Sequence, residues 1–293
     1  MSKVRSHCDH CGGRGPAMNR RSFLGVAGGS AFATGLVPLD FASSLFGAAV
    51  PAPAGKAVVH VVFVRPLTTP LISWPGGQTD VAAMQALFTK TITDAAEKLG
   101  VQLDVKSAPL ENKDQINAYL EAIKGAPPDG LLVCAMELTH WPEVLHLVEN
   151  RGPVPTVVYS HLTAFTGNMK ATRQVPNTFV GATPDVDWLG FALRMLNTVW
   201  RMKNTRLAVI TGNESKDVVA DAFGTTLHMI PAARFDEELA KVDASEEVKA
   251  MADRYAADAQ EIVEPTKADI IDAARNYIVC RRILDAENCQ GLS

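Results

Sequence analysis

Three groups of residues in this 293-residue chain combine side chains that could do chemistry. Trp74-Pro75-Gly76-Gly77-Gln78 follows an apolar run. An indole face and an amide on flexible backbone suit a sugar, which offers apolar C–H faces and hydroxyls. A turn with a packed tryptophan is the other reading of the same five residues. Gly76-Gly77 does not match G-x-G-x-x-G, so no dinucleotide site is expected. Ser160-His161 closes a second apolar run. Neighbours on a chain diverge and no G-x-S-x-G elbow surrounds them, so Ser160 is not a nucleophile activated by His161. A histidine just beyond a parallel strand stands where binding residues concentrate. A solvent-facing loop histidine is the alternative. His140, Glu143 and His146 form the third group. Their spacing puts the two histidines on different faces of a helix, which favours surface residues over a metal site.

The elements that must position these residues alternate strand and helix. Val58–Val64 (VVHVVFV) is a continuous apolar run, as a strand buried on both faces requires. Thr79 or Asp80 caps a helix with Val81, Met84, Phe88, Ile92, Ala95 and Leu99 on one stripe, and Gly100 ends it. Leu103–Ala108 reads as a strand. A helix opens at Asn112 and closes at Gly125, and strand Leu131–Ala135 follows. A short helix spans Trp141–Glu149, and Thr156–Ser160 is a fourth strand. This repetition with short turns implies an α/β fold, a parallel sheet with helices on both faces. Residues 161–177 read as a long polar loop that is functional or lies between domains. Thr183-Pro184-Asp185 has the cap, proline and early acid of a helix start, and that helix runs to about Met202. Strands follow at Arg206–Thr211 and Thr226–Pro231. The chain is helical after Phe235, with a capping box at Thr266-Lys267-Ala268-Asp269 opening the last helix.

A net charge of -4 and 20% charged residues give no electrostatic reason to expect nucleic acid or an anionic membrane surface. Five scattered cysteines do not make a disulfide framework. Asn19-Arg20-Arg21-Ser22-Phe23-Leu24-Gly25 has the pattern of a twin-arginine export signal, carried by Arg20, Arg21, Phe23 and Leu24. The Gly-rich apolar stretch behind it is too short to span a bilayer, so no membrane span is expected after processing. Ala52-Pro53-Ala54 fits the cleavage site, and residues 18–54 form the signal peptide. The implied partner is the twin-arginine translocase, and the implied location is periplasmic or otherwise exported. His7-Cys8-Asp9-His10-Cys11 is too tight to wrap one tetrahedral ion. Residues 1–17 therefore read as an unstructured or mis-assigned leader, with a metal or redox role as the alternative.

Two stretches resemble the fucose/arabinose isomerase family. One is Arg206 to Leu239, where a strand, a helix and Phe223-Gly224 precede the next strand; the other is Ala256 to Cys289, with Glu261-Ile262-Val263-Glu264-Pro265-Thr266 and Ala273-Ala274-Arg275. Weaker similarity covers Val58 to Gly167. The resemblance implies a flavodoxin-like domain over 55–165, a second α/β domain over 166–293 ending in helices, and a catalytic domain after it. The turn Asn288-Cys289-Gln290-Gly291 reads as the entry to a further strand, so the sequence is expected to be a fragment; a frayed tail is the alternative.

In that family aldose–ketose isomerisation goes through an enediol, with carboxylates and a histidine holding Mn²⁺ or another divalent metal. Those ligands would follow Ser293, so none is expected to be bound by this chain alone. Val157-Val158-Tyr159-Ser160-His161 with Phe165-Thr166-Gly167 resembles the strand-end loop whose histidine reaches a neighbouring subunit's sugar. The resemblance matches His161 to that histidine and implies a homo-oligomer. His161, Gln78 and Trp74 are the expected substrate-binding residues. The expected function is an exported sugar isomerase-like protein acting on a pentose or 6-deoxyhexose. The alternative is a periplasmic sugar-binding protein without catalysis.

Overall fold

The structure is a computed structural model that describes residues 53–66, 71–73, 77–161, 167–243 and 245–293. The stretches expected to be a leader and an export signal, with Arg20, Arg21, Phe23 and Leu24, lie outside the described residues up to position 52, and Trp74 also lies outside them. Ala52–Ser293 forms one compact unit holding two main sheets and a small ribbon.

The first sheet is built by strands β1 (Val58–Val64), β4 (Gln102–Val105), β5 (Gly130–Ala135), β6 (Thr156–Ser160) and β7 (Thr178–Ala182), ordered β4-β1-β5-β6-β7. All four pairings are parallel. This is the flavodoxin-like order, in which the second strand lies outside the first and the chain then steps the other way. Every residue of β5 and β6 is buried. Successive side chains of a strand point to opposite faces, so each of these strands needs a cover on both. Helices α1 (Val81–Leu99) and α5 (Trp188–Asn204) pack over Val59, Val61, Phe63, Leu132, Cys134 and Tyr159. The opposite face, with Val62, Val64, Leu131 and Val133, is covered by α2 (Lys113–Lys124), α3 (Trp141–Asn150) and Met169 of α4 (Gly167–Thr172).

Local chemistry fixes the helix ends. Asp80 accepts from the backbone of Ala82 and Ala83 at the start of α1, and Gly100 closes it at a φ of 66°. Asn112 caps α2 through Gln115 N–H. Between β1 and α1 a ribbon of β2 (Leu71–Ser73) and β3 (Gly77–Thr79) runs antiparallel, with Gln78 opposite Ile72.

Three details differ from the sequence reading. The stretch 161–177 contains α4 and leads into β7, so the first sheet continues past residue 165 and ends at Ala182. Helix α5 begins at Trp188, not at Thr183-Pro184-Asp185. There Thr183 Oγ1 accepts from Asp185 N–H and Asp185 Oδ1 accepts from Asp187 N–H, two successive local turns that compete with a helix. The second strand is Gln102–Val105, shorter than the expected Leu103–Ala108 at its end.

The second sheet is mixed, in the order β11-β8-β10-β9. Strands β8 (Arg206–Ile210) and β10 (Thr226–Ile230) are parallel, and β9 (Lys216–Val219) pairs antiparallel with β10. Helices α6 (Ala232–Lys241), α7 (Glu246–Asp258) and α8 (Lys267–Ala286) accompany it, and α8 opens with the expected capping box between Thr266 and Asp269. Val248, Ala252, Ala274, Ile278, Val279 and Ile283 from α7 and α8 pack with Ala208 and Ile230. The turn after α8 enters β11 (Gly291–Leu292), which pairs parallel with β8. Among the described residues no helix is long and apolar enough to cross a membrane.

Trp188 lies over Gly181 between Tyr159 and Phe179, stacked on both at 5.8 and 6.1 Å between ring centroids. A Cβ at residue 181 would sit 2.2 Å from the indole. The ring has neighbours on both faces, so it cannot step aside freely. Gly181→Ala is expected to lower stability by about 1–3 kcal/mol in chemical denaturation, the usual cost of overpacking. It should also shift the emission of Trp188.

Candidate functional site

Ligands of open parallel sheets collect at the carboxyl ends of the strands, beside the point where strand order reverses. Here that point lies between β1 and β5, and the side chains just beyond β1, β4, β5 and β6 are those of Arg65, Lys106, Met136 and His161. Arg65 is 9% exposed. Its Nε donates to Gln85 Oε1 at 2.8 Å and its Nη1 to the Pro66 carbonyl at 2.7 Å. Gln85 Nε2 in turn donates to the Ser107 carbonyl beyond β4 at 2.9 Å. Burial pushes the Arg65 guanidinium below its ordinary pKa, partly offset by Asp80 and Glu111. A cavity of about 500 Å³ opens against this network, lined by Arg65, Ala82, Gln85, Thr89, Lys90 and Ser107.

His161 stands at the end of β6 with its ring against the edge of Phe88, at 6.0 Å between centroids. Its Nδ1 is buried and has no hydrogen-bond partner among the described residues. Desolvation pushes its pKa below the ordinary histidine value, so the neutral ring is the form at neutral pH. A neutral imidazole nitrogen is either a donor or an acceptor, and a buried one is normally satisfied by protein, water or ligand. Helix α1 joins the two halves of the site. Gln85 holds Arg65 and Phe88 meets His161, and residues three apart on a helix are neighbours on one side.

Beyond β5, Glu137 Oε2 accepts from Thr139 N–H at 2.7 Å, from the Thr139 hydroxyl, and faces His140 Nδ1 at 3.0 Å. Burial opposes its charge, but these hydrogen bonds outweigh burial and hold its carboxyl below the usual range. A carboxylate so engaged caps a turn and is poorly placed to take a proton.

The residues named from sequence separate. His161 is at the edge. Gln78 is in the ribbon that leaves that edge, and Trp74 lies outside the described residues. His140 and His146 have different partners, since His146 Nε2 faces Asn117 Oδ1 at 2.8 Å. Among the described residues no three His, Cys, Asp or Glu side chains gather into a group able to hold a metal ion. The Mn²⁺ implied by the family resemblance finds no ligand set among them. Gln85 and Ser107 carry no site signal in the sequence, and Arg65 carries one only by position. The available signal was a lone arginine directly after a seven-residue apolar strand.

No known family model matches the chain, and no curated protein matches it either.

Away from this edge, His60 joins Tyr119 and Asp104. Its Nδ1 is 3.2 Å from the Tyr119 hydroxyl and its Nε2 is 3.4 Å from Asp104 Oδ2. Burial pushes the Tyr119 hydroxyl pKa up, so it is a hydrogen-bonding group and not a phenolate nucleophile.

In proton NMR the His161 ring is expected to titrate with a midpoint below that of a free histidine. Phe88→Leu, which removes the ring edge and admits water, should move that midpoint upward. The sign for folding follows from the direction of the shift. The unfolded chain binds the proton more readily, so the His161 contribution to stability is full above the ordinary histidine pKa and declines as pH falls below it.

Proposed function

We propose that this chain binds a monosaccharide, a pentose or 6-deoxyhexose, at the carboxyl edge of its first sheet. In this reading it is the sugar-holding part of an exported aldose–ketose isomerase-like protein. The observation that supports the binding site is the buried Nδ1 of His161, which has no partner among the described residues. Phe88, which meets His161, lies one turn along α1 from Gln85, which holds Arg65 beside the cavity. The sugar class rests on the family resemblance of Arg206 to Leu239 and Ala256 to Cys289 and on the flavodoxin-like strand order.

The chemistry of the edge suits hydroxyls. A guanidinium and an amide offer directed donors, and the neutral imidazole offers one donor or one acceptor. Each hydroxyl so paired contributes about 0.5–1.5 kcal/mol, more from the charged donor. Gln85 has a second task, since it fixes the plane of Arg65 against the cavity wall. One observation favours binding without catalysis: Glu137, the carboxylate beyond β5, is committed to Thr139 and His140. A sugar-binding protein is therefore the second reading.

Calorimetric titration of the full chain with a panel of pentoses and 6-deoxyhexoses separates these ideas from their failure. At least one sugar should bind, and His161→Ala and Gln85→Ala should each weaken it about tenfold, the loss of one good hydrogen bond in a buried site. Interconversion of aldose and ketose with added Mn²⁺ supports the isomerase, and binding without turnover supports the second reading. No heat and no turnover across the panel would discard both. For export, Arg20→Lys combined with Arg21→Lys should leave the precursor in the cytoplasm, as read by cell fractionation. Unchanged export would remove the signal assignment.

A further inference from the structure

Two arginines beside the first sheet are buried to nearly the same degree, and their donors fare differently. Arg151 is 5% exposed and Arg65 is 9% exposed. A guanidinium keeps its charge when buried, and a buried charge is costly unless its hydrogen-bonding groups are met. Arg151 meets them within the protein. Its Nε donates to the Val154 carbonyl and the Thr156 hydroxyl, and its Nη1 to the Val148 carbonyl. Its Nη2 donates to the Pro176 carbonyl at 2.7 Å and the Thr178 hydroxyl at 2.8 Å. All three nitrogens are engaged, and the side chain ties α3 to the starts of β6 and β7.

Arg65 is only partly engaged. Its Nε is held by Gln85 and its Nη1 by the Pro66 carbonyl. A guanidinium carries five N–H donors. Both donors of Nη2 and the second of Nη1 therefore have no partner among the described residues. No carboxylate of the described residues pairs with it either. Asp80 and Glu111 are near enough to favour its charge, but Asp80 Oδ1 is engaged with the backbone of Ala82 and Ala83.

The cavity beside Arg65 has a matching character. Thr89 and Ser107 bring hydroxyl-bearing residues to its wall, and Lys90 brings a second cation, whose ammonium pairs with Asp94 outside the wall. Among the described residues no Asp or Glu lines it. Gln85 donates through Nε2 to the Ser107 carbonyl, which fixes its Oε1 toward Arg65. The guanidinium is thus oriented before any ligand arrives, which lowers the cost of binding.

We propose that Arg65 receives an anionic group of the ligand, a carboxylate or a phosphate, so that the sugar taken at this edge is a sugar acid or a sugar phosphate. The sugar half rests on the reading given above; the anionic half rests on Arg65 and its cavity. Adjacent N–H groups of one guanidinium suit two oxygens of either anion, and such charge-assisted bonds are stronger than bonds to a hydroxyl. The cavity, at about 500 Å³, has the size of an ordinary small-molecule site.

Calorimetric titration of the full chain tests it. The titrants are a pentose or 6-deoxyhexose, its aldonate and its phosphate ester, with acetate and inorganic phosphate as probes that carry no sugar. One anionic derivative should bind at least about tenfold more tightly than the neutral sugar. Which one prevails distinguishes carboxylate from phosphate. In Arg65→Met, which keeps an unbranched chain and loses the charge, the preference should fall to near parity. Circular dichroism shows whether that variant folds. Wild type gives a second reading that needs no variant. Affinity for the anion should fall about threefold or more between about 0.05 and 0.5 M sodium chloride, with the neutral sugar unmoved. Neutral sugar and derivatives bound alike would overturn the anion and leave the sugar reading standing. Acetate or phosphate bound through Arg65, with no derivative tighter, would uphold the anion and remove the sugar. No anion bound, anions bound equally by a folded Arg65→Met, or anion affinity indifferent to salt would each overturn the proposal.

Discussion

Burial of β5 and β6 on both faces is the constraint from which the rest of the first sheet follows. A strand with water on one side can alternate apolar and polar residues, but a strand with neither side wet cannot. Leu131, Leu132, Val133 and Cys134 are all fully buried, so two successive layers of helix are needed, one for odd and one for even positions. Parallel strands require crossovers, and the crossovers are the helices that meet this demand. The backbone at the strand ends is then the part of the sheet that no layer covers. An open edge is thus a consequence of the burial pattern, and Arg65 and His161 are the residues that the ends of β1 and β6 place there.

Helix α1 connects that core to the site. Phe88 is nearly fully buried, packs edge-on to Tyr159 at 5.4 Å and meets His161 one residue pair further along β6. The same residue that seals the sheet therefore dries the histidine. Three residues earlier, Gln85 is at the rim and reaches Arg65 and the Ser107 carbonyl. The apolar stripe of α1 and its polar margin divide the work. The stripe fixes the helix on the sheet, and the margin holds Arg65 and the chain beyond β4 in place. A shift of α1 by a fraction of a turn would separate Gln85 from Arg65 and expose His161 together.

The strand–helix alternation was readable because each of its signals is local. VVHVVFV, the stripe from Val81 to Leu99, and the caps Asp80, Asn112 and Thr266 need no distant partner to be recognised. Strand β7 was not readable for the opposite reason. TFVGA is short, holds a glycine and exposes its phenylalanine, and only the sheet beside it makes it a strand. The start of α5 is not legible because Thr183 and Asp185 cap local turns as well as they cap helices, and only the tertiary contacts of Trp188 decide between them. His161 could be picked out by its place after a strand. Arg65 stands at the same kind of place after β1, but its meeting with Gln85 could not be read, since it spans twenty residues and two elements.

The second sheet holds itself differently, and this bears on where function resides. Apolar residues from α7 and α8 cover Ala208 and Ile230, yet between them on β10 lies His228, only 6% exposed. A buried histidine among carboxylates resembles a catalytic group when read by composition. Its surroundings argue otherwise. Nδ1 lies 2.6 Å from Asp217 and 2.7 Å from Arg206 Nη2, and Nε2 lies 3.2 Å from Glu287. Arg206 also donates to the Glu287 carbonyl, closing the ring of contacts between β8, β9, β10 and the end of α8. Every nitrogen of this imidazole has a partner supplied by a different element, so it has no position free for a substrate. It fastens the sheet to the turn that leads into β11. His161 is the reverse case, apolar in its surroundings and with one nitrogen that nothing in the described protein satisfies. The contrast between an engaged and an unengaged imidazole, more than the presence of histidine, directs attention to the first sheet.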